Sequence, residues 1–428
     1  MTLDRNAYLI CLLAIMQILT ACAPNIIYRS VYETCRVSAR VKCDKNSLQY
    51  YNVGASDEYM LGFVEIDDQG QLRDRSQMKA VIDTFYKTAA SESVLITVFV
   101  HGWHHNAQPG DPNIESFKGN LAKLSKVESS LSLTQKRPPR KIIGVYVGWR
   151  GESITIPVIN GLTFWERKNT AQDGGYLGVT ELLLKLEEIA NVRNSVLPPI
   201  KSRLVVIGHS FGGAVVYSAT SQILASRFVD SKAGKGFTNT AKGFGDLVVL
   251  LNPAFEALRY APFYELAEER CSYFLEQVPR LAILTSETDN ATKLAFPAGR
   301  IFTTFFETHN TIQRTICKRP LILDEGEADR TAVGHYMPLI SHSLQPADEK
   351  QAQRSANYNN MKNIWSTQIR GGSTRFGAVV LTHLDKTEPR NPYLNIRVNE
   401  ELIGSHNDVF GEKIMEFLRL LIVLSTSE

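Results

Sequence analysis

The segment LVVIGHSFGGAV, residues 204–215, places Ser210 where one apolar run ends and a second apolar stretch begins. The first run predicts a buried strand, and the pattern of residues 212–228 predicts a helix. Gly208 and Gly212 leave room for a sharp turn between them, with the serine at its tip in a strained backbone conformation. There, free N–H groups and the helix dipole favour a developing negative charge. Ser210 is therefore either a nucleophile or the N-cap of a glycine-rich turn.

Strands and helices alternate along most of the chain. Apolar runs predict strands at 58–67, 93–100, 141–149, 202–210, 245–253, 279–287 and 376–384, and helical spacing predicts helices at 76–90, 114–127, 176–194, 212–228 and 408–424. This alternation predicts an α/β fold with a doubly wound, mainly parallel sheet. Residues 150–175 and the stretch from about 290 to 375 do not fit it. We interpret the longer stretch as a cap or lid inserted over the carboxyl edge of the sheet.

The composition limits the classes of function. With 428 residues, of which 44% are hydrophobic, the chain can bury a large core and is expected to be globular. The net charge is only +3, and the one basic cluster, QKRPPRK at 135–141, is interrupted by prolines and is interpreted as a solvated loop. Nucleic acid is therefore not an expected partner.

The N-terminus predicts export. Residues 1–21 carry Arg5 and then an apolar run of signal-peptide length, shorter than the roughly 20 residues of a spanning helix. The run ends in LTAC, residues 19–22, which resembles the bacterial lipoprotein signal and implies cleavage before Cys22 and acylation of that cysteine. Ala23 is not the aspartate that favours inner-membrane retention, so the resemblance implies an outer-membrane anchor in the cell envelope. The alternatives are an ordinary signal peptide and an uncleaved anchor. Residues 22–57 are predicted to be an irregular tether, and the folded domain is expected over 58–428.

The six cysteines divide by position. Cys11 would leave with the signal peptide and Cys22 would carry lipid. The remaining four are an even number in an oxidising compartment, and proximity favours Cys35 with Cys43 and Cys271 with Cys317. Four buried free thiols are the alternative. No pair has CxxC spacing, so a zinc framework is not expected.

Residues 93–424 resemble the α/β-hydrolase superfamily, and in particular its bacterial esterase and lipase-like members. Gly208 to Gly212 match the G-x-S-x-G motif between a strand and a helix. The family order of serine, acid and histidine implies an acid after the strand at 279–287. We prefer Asp289 to Glu287, with Asp385 as the third choice, although each is alternatively a surface carboxylate that caps a turn.

The resemblance implies His406 as the base, because it lies in a loop directly before the closing helix. The alternative is a loop histidine beside the helix cap. Other histidines fit less well: we expect His209 to point away from the partner of Ser210, His335 and His342 to lie in the insertion, and His383 to end a strand.

The family also implies an oxyanion hole. One backbone N–H would come from Phe211, and the other from Trp103 in the His-Gly loop VFVHGWHHN, residues 98–106, where Gly102 permits close approach. The chain departs from the three-glycine form of this loop, which leaves the size of the substrate open. The loop histidines His101, His104 and His105 match no zinc signature.

The resemblance therefore implies a serine carboxylester hydrolase that needs neither metal nor cofactor. Its substrate would be a small-molecule or lipid ester, met near a membrane that the N-terminal lipid contacts. Acyl transfer, thioester or amide cleavage and a non-catalytic binding protein on the same scaffold are the alternatives. Trp149, Phe164 and Trp165 either line an acyl pocket or belong to the core.

Overall fold

The computed structural model describes residues 26–67, 69–149, 177–233, 236–237, 239–304, 307–348 and 357–427. The proposed signal peptide, Cys22, Phe164 and Trp165 lie outside these ranges, so the predictions made for them stay predictions. Within the described ranges, no helix combines the length and the apolar character needed to cross a membrane.

The described strands, in chain order, are β1 (Val31–Arg36), β2 (Asn46–Tyr51), β3 (Tyr59–Glu65), β4 (Val94–Val100), β5 (Lys141–Gly148), β6 (Arg203–His209), β7 (Lys232–Ala233), β8 (Gly236–Phe237), β9 (Leu247–Leu251), β10 (Leu281–Ser286), β11 (Thr311–Ile316), β12 (Arg319–Asp324), β13 (His342–Pro346), β14 (Ser373–Phe376), β15 (Val379–His383) and β16 (Tyr393–Val398). The described α-helices are α1 (Arg75–Ser91), α2 (Pro112–Thr134), α3 (Gly178–Ser195), α4 (Phe211–Asp230), α5 (Ala257–Glu268), α6 (Phe296–Thr303), α7 (Glu325–Arg330), α8 (Met361–Ser366) and α9 (Glu412–Thr426). A π-helical turn, Ala291–Ala295, and two 3₁₀ turns, Met337–Leu339 and Tyr358–Asn360, complete the set.

Twelve strands form one sheet, in the order β1-β2-β3-β5-β4-β6-β9-β10-β16-β13-β15-β14. Neighbours are parallel from β3 to β13, and antiparallel pairs occur only towards the two edges. Helices α1, α3, α4 and α5 contribute to the core on one face, and α2 and α9 to the core on the other. The predicted α/β fold with a mainly parallel, doubly wound sheet is therefore confirmed.

The central strands form because their sequences are apolar on both faces. Every residue of β4, VLITVFV, is buried, as expected for a parallel strand covered by helices on each side. The same continuous pattern gives β9, LVVLL, and β10, LAILTS. These strands hold the loops of the candidate site at one edge.

The start of the fold is earlier than the sequence analysis predicted. Strands β1 and β2 lie within residues 22–57, which we expected to be irregular, and β2 pairs with β3. Polar side chains hide this strand from a hydropathy pattern: Gln49 is buried, and its amide donates to the carbonyl oxygens of Cys43 and Asn46. Burial of a polar group satisfied in this way costs little.

The predicted insertion is also shorter than expected. Strands β13 and β14 fall within 290–375 but belong to the main sheet, whereas the hairpin β11–β12 lies outside it. The predicted strand at 376–384 contains β15, which pairs with β14 at the antiparallel edge. Strand β16, YLNIRV, was not predicted, because its alternating polar residues do not resemble the continuous apolar run of a buried strand. Asn395 in β16 is nevertheless fully buried, with its amide bonded to the carbonyl oxygens of Val333 and Leu339.

Both predicted disulfides are confirmed. Cys35 is bonded to Cys43 in the N-terminal segment, and Cys271 to Cys317, with Cα–Cα distances of 5.9 and 5.4 Å. The second bond joins the loop after α5 to the turn of the β11–β12 hairpin, so it ties the insertion to the body of the domain.

Candidate active site

The site lies at the carboxyl edge of five adjacent parallel strands. In sheet order, β4, β6, β9, β10 and β16 are followed by Gly102, Ser210, Asn252, Asp289 and His406. In open α/β sheets the loops at this edge form the usual ligand site, because parallel strands deliver their carboxyl ends side by side.

Ser210 sits at the strand-to-helix turn with φ +56° and ψ −121°, in the left-handed region that a non-glycine residue rarely adopts. Although it occupies the N-cap position of α4, its hydroxyl makes no capping bond. The Oγ lies 2.6 Å from Nε2 of His406. The local geometry therefore directs the hydroxyl to the histidine and not to the helix.

The glycines of the turn are required by contact with backbone. A Cβ on Gly208 would lie 2.6 Å from the carbonyl oxygen of Gly212, and a Cβ on Gly212 would collide with the carbonyl oxygens of Val100 and His101. Backbone atoms of β4 and its following loop cannot rotate away as a side chain could. The turn can therefore approach the His-Gly loop only with glycine at these positions.

Substitution of Gly212 by alanine is expected to destabilise the folded state by about 3 kcal/mol or more, because the new methyl group separates α4 from β4. Gly119 in α2 is the matched control, since a Cβ there meets no atom within 4 Å. Its replacement by alanine should leave stability equal or slightly higher. Chemical denaturation of both variants measures the difference, and equal stabilities would contradict the assigned role of Gly212.

His406 joins the serine to a buried carboxylate. Its Nδ1 lies 2.9 Å from both Oδ1 and Oδ2 of Asp289, which is 0% exposed. Burial alone would raise the pKa of Asp289, but hydrogen bonds from His406 and Thr292 outweigh it and hold the pKa below its usual value. Asp289 is therefore ionised, its carboxylate accepts the Nδ1–H of His406, and Nε2 is left to accept the hydroxyl proton of Ser210.

The other candidate acids lie elsewhere. Glu287 pairs with Arg397 and accepts a hydrogen bond from Asn399. Asp385 is exposed and pairs with Arg370. The structure thus brings Asp289, and neither alternative, to His406.

Two buried donors hold the backbone of His406. The Nε2–H of His209 and the amide of Asn252 each donate to the carbonyl oxygen of His406, both at 2.9 Å. Asn252 is itself oriented, because its Oδ1 accepts the N–H of Ser286 at 2.9 Å. The expectation that His209 points away from His406 is wrong, because the buried His209 ring points towards the loop that carries His406 and donates to its backbone. Burial lowers the pKa of His209 to about 3, so the ring is a neutral donor.

Neither His209 nor Asn252 was predicted to serve the site. A signal was present for Asn252, a polar residue directly after a buried apolar run in the segment LLNP. For His209 no signal existed, because its partner is 197 residues away in the sequence.

The His-Gly loop lies against the turn that carries Ser210. A Cβ on Gly102 would lie 2.8 Å from Cβ of Ser210 and 3.0 Å from Nδ1 of His209, so the loop passes the turn at backbone contact distance. The rings of Trp103 and Phe211 meet edge to face, with centroids 6.4 Å apart. The two residues predicted to form an oxyanion hole are thus neighbours across the turn.

Hydrogen bonds of the buried His101 ring hold the His-Gly loop in place. Its Nδ1–H donates to the carbonyl oxygen of Gly102 at 2.8 Å, and its Nε2 accepts the backbone N–H of Trp149 at 3.0 Å. Burial lowers the pKa of His101 to about 4, which keeps the ring neutral. The Trp149 indole N–H donates to the carbonyl oxygen of His101 at 2.9 Å. Trp149 therefore belongs to the core, where it supports the loop, and does not act as an acyl-pocket wall.

Both ring nitrogens of His105 are used in hydrogen bonds. His105 donates from Nδ1 to Asp111 and accepts the amide of Asn113 at Nε2. Among the described residues, Glu307, His309 and Asp329 bring possible ligand atoms within 4.8 Å of one another. The guanidinium of Arg300 already pairs with Asp329 there, and its charge opposes a bound cation.

Comparison with known proteins adds little. No family model and no curated protein matches the chain. Among solved structures, Trichoderma reesei cutinase in complex with a C11Y4 phosphonate inhibitor matches with a TM-score of 0.19 and 13% sequence identity, over 50% of this chain and 77% of the cutinase chain. A likeness of this size establishes neither family nor activity, so the assignment of function depends on the geometry of the site.

Proposed function

We propose that the protein is a serine hydrolase that cleaves carboxylic esters, with Ser210 as nucleophile, His406 as general base and acid, and Asp289 as the group that orients the imidazole. One observation carries the proposal. The Ser210 hydroxyl, the His406 ring and the Asp289 carboxylate form a continuous hydrogen-bonded chain, with distances of 2.6 and 2.9 Å, at the carboxyl edge of a parallel sheet.

The chain of hydrogen bonds has the polarity that acylation needs. As Oγ of Ser210 attacks the ester carbonyl carbon, its proton moves to Nε2 of His406, and Asp289 stabilises the positive charge on the imidazole. The carbonyl oxygen becomes an oxyanion, which the backbone N–H groups of Phe211 and Trp103 are proposed to bind. Proton transfer from His406 to the leaving alcohol then completes the acyl-enzyme.

Deacylation repeats the steps with water. His406 removes a proton from the water molecule, the hydroxide attacks the acyl carbon, and the returning proton releases Ser210 and a free carboxylic acid. Among the described residues, the strained backbone of Ser210 and the two bonds to the His406 carbonyl pre-position both partners. Little reorganisation is needed before the first attack.

We further propose that Cys22 carries the lipid anchor and that the domain acts in the bacterial envelope on acyl esters near the membrane. This part rests on the sequence of residues 1–23 alone.

Labelling with a fluorophosphonate probe tests the proposal. The expected result is one covalent adduct, mapped to Ser210 by peptide mass spectrometry, together with release of free acid from short acyl esters when no acceptor alcohol is present. Prior heat denaturation of the protein is the control and should abolish the adduct. A folded protein that remains unlabelled at Ser210 would overturn the assignment, and products formed only with an acceptor would favour acyl transfer.

A further inference from the structure

Asp289 has a second side-chain partner that the proposed mechanism does not use. The Oγ1 of Thr292 lies 2.5 Å from Oδ2 of Asp289 and 2.9 Å from Nε2 of His335. Thr292 is 0% exposed and lies in the π-helical turn directly after the acid, whereas His335 lies 43 residues further along the chain.

We propose that Thr292 and His335 are positioning residues that orient Asp289 through a hydrogen-bond chain from the imidazole to the hydroxyl to the carboxylate. The proposal rests on the function proposed above and extends it. It connects the loop around His335, part of the predicted insertion, to the acid through the Thr292 hydroxyl.

Which group donates and which accepts in this hydrogen-bond chain follows from the chemistry of the three side chains. An ionised carboxylate only accepts, so the single hydroxyl proton of Thr292 must point to Asp289. Because Oγ1 has no second proton to give, the 2.9 Å contact with His335 is a hydrogen bond only if Nε2 of His335 carries the proton and donates it. His335 is therefore present as its Nε2–H tautomer, and its bond polarises the hydroxyl towards the carboxylate.

The Thr292 hydroxyl also completes a set of donors around Asp289. Oδ1 accepts the backbone N–H groups of Ala291 and Thr292, at 3.0 and 3.2 Å, while both oxygens face Nδ1 of His406. Oδ2 has no backbone donor among the described contacts, so the Thr292 hydroxyl is what holds this oxygen from the side away from His406.

The loop that carries His335 is anchored on two sides. Gly334 packs against Oγ1 and Cβ of Thr285 in β10 so closely that no Cβ would fit. The buried amide of Asn395 in β16 bonds the carbonyl oxygens of Val333 and Leu339. The ring of His335 is therefore held at a set distance from the acid by the same two strands that precede Asp289 and His406.

The surroundings of His335 keep it neutral. Burial lowers its pKa to about 4, and of the charged or titratable groups that face it, Asp289 acts in the opposite direction while Lys293, Arg397 and His406 add to the lowering. A neutral imidazole can donate to Thr292 without placing a competing positive charge beside Asp289.

Two pairs of variants test the hydrogen-bond chain from His335 through Thr292 to Asp289. Thr292→Val removes the hydroxyl at constant shape, and Thr292→Ser keeps it. His335→Leu removes the donor, and His335→Gln replaces it with an amide N–H at a similar reach. Thr220→Val is the matched control, because Thr220 is equally buried but bonds only the carbonyl oxygen of Val216 within α4.

The expected result is a shift in pH dependence. Thr292→Val should lower kcat about tenfold and move the midpoint of Asp289 protonation up by about one pH unit, because the ionised carboxylate loses a hydrogen bond that stabilises it. His335→Leu should show about a third of that shift, and Thr292→Ser, His335→Gln and Thr220→Val should stay within about twofold of the wild-type kcat. An unchanged midpoint of Asp289 protonation in a folded Thr292→Val variant would overturn the proposal.

A readout independent of turnover separates this proposal from the proposed function. In the ¹⁵N NMR spectrum of the His406 ring, the low-pH transition in which Asp289 takes up its proton should move upward in Thr292→Val. This shift in a protein that fails to react with the fluorophosphonate would leave the hydrogen-bond chain standing while the hydrolase assignment fails. Labelling of Ser210 without any shift in Thr292→Val or His335→Leu would support the hydrolase assignment and overturn the hydrogen-bond chain.

Discussion

Replacing Ser210 by alanine is expected to lower kcat for ester hydrolysis about 10⁶-fold, since removal of the nucleophile of a serine–histidine pair has an effect of that size. The substitution deletes one atom, Oγ, whose hydrogen bond goes to Nε2 of His406. The backbone carbonyl oxygen of Ser210 accepts hydrogen bonds from the N–H groups of Gly213, Ala214 and Ala254, and these bonds do not depend on Oγ. Loss of activity should therefore occur with the fold intact, as measured by initial rates with short acyl esters and by thermal melting.

Ser218→Ala provides the matched control. Ser218 lies in α4, the helix that begins directly after Ser210, and is 9% exposed. Its hydroxyl contacts the guanidinium of Arg259 and not the candidate site. Its replacement should leave kcat within about twofold, as for most substitutions distant from an active site. Activity that survives in Ser210→Ala at the wild-type level would remove Ser210 from the mechanism.

Asp289→Asn is expected to lower kcat about 10⁴-fold, as the corresponding change does in other serine–histidine–aspartate sites. The backbone N–H groups of Ala291 and Thr292 bind one carboxylate oxygen and would select the amide oxygen of asparagine in its place. The amide nitrogen would then face Nδ1 of His406 and donate to it. His406 would be forced into the Nε2–H tautomer, which cannot accept the proton of Ser210.

Glu287→Gln and Asp385→Asn are the controls for this prediction. Both positions follow strands of the main sheet, as Asp289 does, but the structure places them on arginine partners. Kinetics with the same esters should show about wild-type rates for both, because neither carboxylate touches His406. A loss comparable with that of Asp289→Asn in either one would mean that the acid has been misassigned.

A strand or turn could be predicted where its own segment has a clear pattern of apolar residues or glycines. Strands β4, β6, β9 and β10 each contain a run of apolar residues, and the glycines around Ser210 mark the turn. Strands β2 and β16 were missed because they bury polar side chains, such as Gln49 and Asn395, whose amide nitrogens donate to carbonyl oxygens elsewhere in the chain. Hydropathy records whether a side chain is apolar, not whether a polar one has found a partner.

The sequence by itself predicted the mainly parallel α/β sheet and the position of the turn around Ser210, and it favoured the two disulfide pairs that the structure contains. The order of serine, acid and histidine was implied by the resemblance to a known family. Only the tertiary structure decided that Asp289 and not Glu287 meets His406, that His209 and Asn252 hold the His406 carbonyl, and that His335 reaches the acid through Thr292. The physical reason is the range of the interactions. Hydrophobic periodicity acts within one segment, whereas these hydrogen bonds join loops that the sheet brings together from across the chain.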